Sequence, residues 1–162
     1  MILKQAELFK GMNRDFVKGI MDLTKKESFK EGDILFAEGD GAEEFFILLR
    51  GRVKLSIGEE GRLVHVVGRP GEAFGWSSLV GRDAYTASAQ CMAPTKLLKM
   101  DREDIEKVLE NDPANGLVFV KRLAAGIGER LVNAYNSLRS IHHLELPDTC
   151  GTSQMLRQRS TL

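Results

Sequence analysis

Between Glu27 and Met100 the apolar residues recur at a period of two, and glycine-bearing turns cut every run short. The runs are "ILFAEGD", "EFFILLRGRVKLSI", "RLVHVVG", "YTASAQCM" and "TKLLKM"; between them lie "EGD", "GDGAEE", "RG", "GEEG" and "RPGE". A segment with this rhythm does not settle as helix, whose apolar positions must return every three or four residues. In "GRVKLSI", Val53, Leu55 and Ile57 fall on one side and Arg52, Lys54 and Ser56 on the other, as in an antiparallel strand with one wet face. Short strands about ten residues apart, joined by glycine turns, predict a closed sandwich or barrel. Gly32 and Gly39 supply the positive φ that the two tight "EGD" turns need.

The helical period governs both flanks. "LFKGMNRDFVKGIMDL" carries Phe16, Ile20 and Leu23 at spacings of four and three, a short amphipathic helix with Asn13 placed to cap it. After Met100, Asp101 stands where a cap would, and Asp104 lies in the first turn, where the helix dipole favours an anion. Ile105, Val108 and Leu109 form the apolar stripe, and Pro113 opens the next helix. There Leu117, Val120, Ala124, Ile127, Leu131, Ala134, Leu138 and Ile141 recur at alternating spacings of three and four. That is a coiled-coil seam, and it predicts a homodimer interface.

A second, narrower stripe through Phe119 and Leu123 is placed to pack on the barrel. A helix of about 28 residues is near 42 Å long, more than a small barrel needs covered, so the far half is left for self-association. Gly126 and Gly128 each lower helix propensity by about 1 kcal/mol. They mark either a bend or the close approach of a neighbouring backbone. From Leu144 the sequence "LELPDTCGTSQMLRQRSTL" loses all period and is expected to be a disordered tail. The organisation expected is a helical segment (1–26), a β-barrel (27–100) with an insert at 71–89, a short and a long helix (101–143), and the tail (144–162).

Charge removes several functions. The 23 basic and 23 acidic residues cancel, which argues against a dominant nucleic-acid surface. Cys91 and Cys150 give neither a disulfide framework nor a paired metal motif, and Cys91 is expected to be buried and inert. No signal peptide opens the chain, and no apolar run approaches the ~18 residues of a membrane span, so a cytoplasmic protein is expected. His65, on an alternating strand, reads as a strand-edge residue; His142 and His143 close the long helix. Their spacing offers no haem ligand pair and no metal site. The doublet Glu43-Glu44 reads as a solvated turn. With no nucleophile elbow, Walker loop or zinc motif, an enzyme is not expected.

The hairpin "KEGDILFAEGD", the run "FFILLRGRVKL" and above all "GEAFGWSSLVGRDAYTASA", followed by the long helix, resemble one family. From about Leu8 to His143 the chain is similar to the cyclic nucleotide-binding domain of catabolite-activator and Fnr-type regulators. The resemblance implies an antiparallel jelly roll, mainly β with flanking helices, followed by a dimerisation helix. It also implies a phosphate-binding cassette of the form F-G-E-x-(A/S)-L, a loop, then P-R-(S/T/A)-A-(T/S). In such a cassette, backbone N–H groups and an arginine hold a cyclic phosphate, and a glutamate holds the ribose.

Phe74, Gly75, Ser78 and Leu79 match the first half of that pattern, and Thr86, Ala87 and Ser88 match the second. Trp76 replaces the glutamate and Tyr85 replaces the arginine; Arg82 lies three residues before Tyr85. Each lost charge-assisted bond costs about 1.5–3 kcal/mol, so losing both weakens binding about a hundredfold or more. The expected ligand is therefore one other than cyclic AMP, or cyclic AMP bound more weakly: a cyclic nucleotide or another small anionic or planar molecule. Two readings stay open: Trp76 fills the vacated pocket, or Trp76 and Tyr85, with Ser77 and Ser78, hold another small planar or anionic effector. The family's regulators carry a helix-turn-helix beyond the long helix, and the residues after His143 lack it, so direct DNA binding is not expected. A non-catalytic sensor domain is the expectation, with a structural protein or the sensor part of a larger transcription regulator as alternatives, and a protein partner as a candidate reader of the helix.

Overall fold

The computed structural model describes residues 7–144, and side-chain surroundings for 8–139 of these. Residues 145–162 of the expected tail and the side chains of Ile141, His142 and His143 lie outside the described residues.

Eight strands alternate with the turns that the glycines mark. They are β1 (Lys25–Phe29), β2 (Ile34–Phe36), β3 (Glu44–Arg50), β4 (Val53–Ile57), β5 (Arg62–Val67), β6 (Ala73–Phe74), β7 (Ser88–Cys91) and β8 (Thr95–Asp101). Two four-stranded sheets result, in the orders β1-β8-β3-β6 and β2-β7-β4-β5, with antiparallel pairing throughout. This is the jelly roll expected from the sequence.

β3 explains why "EFFILLR" is nearly continuously apolar, since the strand is covered on both faces. Phe46 and Leu48 point between the sheets, among Val53, Leu55, Val67, Phe74 and Leu97. Phe45 and Ile47 point the other way, into a layer with Ile20, Leu98, Met100, Ile105 and Phe119. A slip of one residue would exchange the two layers, so the register is firmly set.

That second layer is helical: α1 (Arg14–Asp22), α2 (Arg102–Asn111) and α3 (Pro113–Leu144). Asn13 caps α1 as expected, its Oδ1 accepting from Phe16 N at 2.7 Å. Asp101 occupies the cap position of α2 but makes no capping bond. Its carboxylate instead meets Lys25 Nζ at 2.8 Å across the β1–β8 pair. Glu44 likewise departs from the solvated-turn reading: it opens β3, half-buried, with Lys99 Nζ 2.9 Å from its carboxylate.

α3 runs for 32 residues. Its stripe of Phe119 and Leu123 is buried against the barrel, as expected, with Phe119 touching Phe9 and Phe45 ring to ring. Among the described residues, the opposite seam is bare. Leu117, Val120, Ala124, Leu131, Ala134 and Leu138 are all exposed, Leu131 at 49% and Leu138 at 63%, and only Ile127 is drawn into the core. Beyond the helix's own backbone, no atom of the described residues lies within 4 Å of where a Cβ on Gly126 or Gly128 would stand, so neither glycine makes room for a described neighbour. Among the described residues, no helix is long and apolar enough to cross a membrane.

Candidate functional site

The insert is built around Gly75. Its φ is +75°, and a Cβ there would lie 2.9 Å from Phe46 Cδ2 and 3.1 Å from the Glu44 carbonyl oxygen. Glycine alone lets β6 turn at once, tight against β3, into the 3-10 turn Trp76–Leu79. Ser77 and Ser78 are buried in that turn. Ser78 Oγ donates to the Gly75 carbonyl at 2.9 Å, and the Ser77 carbonyl accepts from the N–H of Arg82 at 3.3 Å. These bonds close the turn on itself.

The second half of the insert is locked from inside the barrel. Tyr85 stacks on Phe36 with ring centroids 3.8 Å apart, and Phe46 stacks on Phe74 at 5.2 Å. The Tyr85 hydroxyl donates to the Glu44 carbonyl at 2.7 Å and accepts from the Glu44 N–H at 3.1 Å. Burial pushes this phenol up to about 12. Ser88 Oγ accepts from Glu38 N at 2.9 Å. Ala87 is half-buried, and Thr86 and Arg82 are exposed.

One cavity lies away from most of these residues. A cavity of about 500 Å³ lies between α3 and the segment that runs from His65 to Trp76. Of the residues expected to bind a ligand, Trp76 lines it; Phe74, Gly75, Ser77, Ser78, Arg82, Tyr85, Thr86, Ala87 and Ser88 do not. From the helix come Arg122, Leu123, Gly126, Ile127, Glu129, Arg130 and Asn133. Ile127, expected on the seam, instead lines the cavity and packs on the core.

The polar centre of the cavity wall is Glu72. His65 Nε2 lies 2.6 Å from its Oε1, and the N–H groups of Gly68 and Arg69 donate to its Oε2 at 3.1 and 3.2 Å. Arg130 Nη2 is 3.6 Å from Oε1 and also donates to the Ala73 carbonyl. Burial acts to raise the Glu72 carboxyl, but the bonds from His65, Arg69 and Gly68 outweigh it and hold the group at about 2. Burial lowers the Arg130 guanidinium, and Glu72 opposes that shift. An arginine so placed stays charged, and its charge is poorly screened.

The sequence reading missed this trio for identifiable reasons. His65 was expected at a strand edge, where it is, on the outer strand β5. Glu72 sits in "RPGE", which reads as a turn. Arg130 did carry a signal: Phe119, Leu123, Ile127 and Arg130 follow at spacings of four, four and three, so a charge continues the buried stripe. Among the described residues, no group of three or more His, Cys, Asp and Glu is placed to hold a metal ion.

Comparison with known proteins adds a family to this geometry. The family model described as a cyclic nucleotide-binding domain matches residues 26–120. The chain is 28% identical over 115 residues to a cGMP-dependent protein kinase of Drosophila melanogaster, covering 67% of this chain and 12% of the kinase. It is 28% identical over 135 residues to the cyclic AMP receptor protein of Thermus thermophilus, covering 82% of this chain and 60% of that protein. It thus spans less than two thirds of either relative. Among solved structures, a putative cyclic nucleotide-binding protein from Geobacter metallireducens superposes with a TM-score of 0.69 at 27% identity, over 81% of this chain and 98% of that one. The catabolite activator protein of Thermus thermophilus gives 0.68 at 27% identity, over 84% and 63%.

Proposed function

Because the chain belongs to the cyclic nucleotide-binding domain family, we propose that it acts as a non-catalytic sensor whose effector is not cyclic AMP and sits between the barrel and α3. The observation that carries this reading is the placement of the two replaced residues. Tyr85, at the position of the family's arginine, is spent on Phe36 and the Glu44 backbone. Trp76, at the position of its glutamate, walls a cavity large enough for a small planar molecule. An acid and a base that would grip a cyclic phosphate and ribose are thus exchanged for aromatic surface.

The same cavity favours a sensor over a closed structural protein, since Trp76 lines open space instead of filling it. Its helical wall and the bare seam belong to one helix, so an effector that moves α3 would alter the dimer surface that a partner reads. Calorimetry with cyclic AMP and cyclic GMP tests the proposal, with no heat of binding expected at micromolar ligand. Micromolar binding that Trp76→Ala abolishes would show that the replaced cassette still serves its original ligand.

A further inference from the structure

The cavity has an unbalanced charge. Arg69, Arg122 and Arg130 line it against Glu72 and Glu129. Arg69 and Glu129 are exposed and screened by solvent, and Arg122 Nε is already donated to the Lys10 carbonyl at 3.2 Å. Arg130 is largely enclosed, with 20% of its side chain exposed, and faces Glu72. Its contacts with the Ala73 carbonyl and Glu72 run through Nη2, which both two-bond edges of the guanidinium share, so a group that takes two bonds from Arg130 must displace one of them.

Its present partner is built to release it. Glu72 Oε1 is shared between Arg130 at 3.6 Å and His65 at 2.6 Å, so Glu72 keeps a close partner when Arg130 turns away. Ser78 Oγ is committed to the Gly75 carbonyl and Ser77 is buried, and neither serine lines the cavity. A planar guanidinium edge instead matches a carboxylate, which can accept two parallel N–H bonds. Around it stand Trp76, Leu123 and Ile127, suited to an apolar ring.

We propose that Arg130 is the anion anchor of this cavity, and that its ligand is a flat apolar ring carrying one carboxylate. The proposal rests on the reading of the cavity as the effector site. The carboxylate competes with Glu72 and the Ala73 carbonyl for the guanidinium, and so loosens the tie between α3 and β6. The anchor sits on the moving helix and not on the cassette, which makes ligand charge the signal that reaches the seam.

Calorimetry of the whole chain with naphthalene-2-carboxylate, naphthalene-2-carboxamide and cyclic AMP tests this, with melting curves run in parallel. The carboxylate is expected to bind at least ~10-fold tighter than the amide, as one added charge-assisted pair implies. Arg130→Gln should erase that preference and leave amide binding in place, and Glu72→Gln should strengthen carboxylate binding several-fold. Should Arg130→Gln fail to fold, Arg130→Lys keeps the charge without the fork and should give an intermediate preference. Equal binding of acid and amide, both lost in Trp76→Ala, would leave the site standing and remove the anchor. A preference that survives Arg130→Gln, or cyclic AMP binding tighter than the carboxylate, overturns the inference. No binding of any of the three overturns the site as well.

Discussion

Tyr85 and Glu44, forty-one residues apart, are joined twice through one hydroxyl: it donates to the Glu44 carbonyl at 2.7 Å and accepts from the Glu44 N–H at 3.1 Å. The phenol thereby satisfies both backbone groups of the first residue of β3, while its ring stacks on Phe36. Tyr85→Phe keeps the stack and orphans both groups, so urea denaturation should show a loss of about 1–3 kcal/mol. Burial holds the phenol near 12, above its ordinary 10. Its contribution is complete below pH 10 and drains away as pH rises toward 12.

Placing an arginine at position 85 should fail for the same reason. Tyr85→Arg would place a guanidinium among Phe36, Phe46 and Phe74, lose the stack and both Glu44 backbone bonds, and cost about 3 kcal/mol even with Glu43 and Glu44 within electrostatic reach. Denaturation should find that loss, and calorimetry should find no gain of cyclic AMP binding. A stable variant that binds cyclic AMP would show that the barrel interior still opens.

Gly75 is held by conformation and by space together. Gly75→Ala must place a Cβ at positive φ within 2.9 Å of Phe46, and strain of this kind costs about 1–3 kcal/mol. The turn that presents Trp76 moves with it, so the emission of the protein's single tryptophan should shift in the same variant. Unchanged stability and emission would separate Gly75 from the positioning of Trp76.

How much of this could be read from the residues follows from where periodicity speaks. The period of two placed Val53 and Leu55 inside but failed past the bulge at Leu55 and Ser56, where Ser56 is buried and Ile57 exposed, while the narrow helical stripe placed Phe119 and Leu123 on the barrel. The resemblance of "GEAFGWSSLVGRDAYTASA" supplied the topology, which spacing alone does not choose among sandwiches and barrels. The position of the cavity was not legible. It depends on Glu72, Trp76 and Arg130 meeting across 58 residues of sequence, and a turn glutamate and a helix arginine each look solvated when read alone. Asp101 shows the same limit on a smaller scale: its cap position was visible, but Lys25, which takes its carboxylate, was not.

The exposed seam predicts association. Leu117, Val120, Leu131 and Leu138 present a row of large apolar side chains that are exposed among the described residues. Sedimentation should show a dimer at high micromolar concentration, and Leu131→Asp with Leu138→Asp should give a folded monomer, since neither residue touches the barrel core. A parent chain that sediments as a monomer would remove the seam as an interface.

Glu72 predicts an acid limb to the stability curve. In the fold its carboxyl is held at about 2, against an ordinary 4.5, because the bonds from His65, Arg69 and Gly68 overcome the effect of burial. Above pH 4.5 the group is ionised whether the chain is folded or not, and the stabilisation is complete. As pH falls below 4.5 the unfolded chain takes up the proton first, and the advantage is lost progressively until the folded carboxylate is protonated near pH 2. The full effect is roughly 3 kcal/mol. Urea midpoints measured from pH 6 down to pH 2 should fall steeply for the parent and more gently for Glu72→Gln, which has no proton to take up. Parallel slopes would mean that other carboxylates govern acid unfolding, and that the bonds to His65, Arg69 and Gly68 do not favour the ionised form of Glu72.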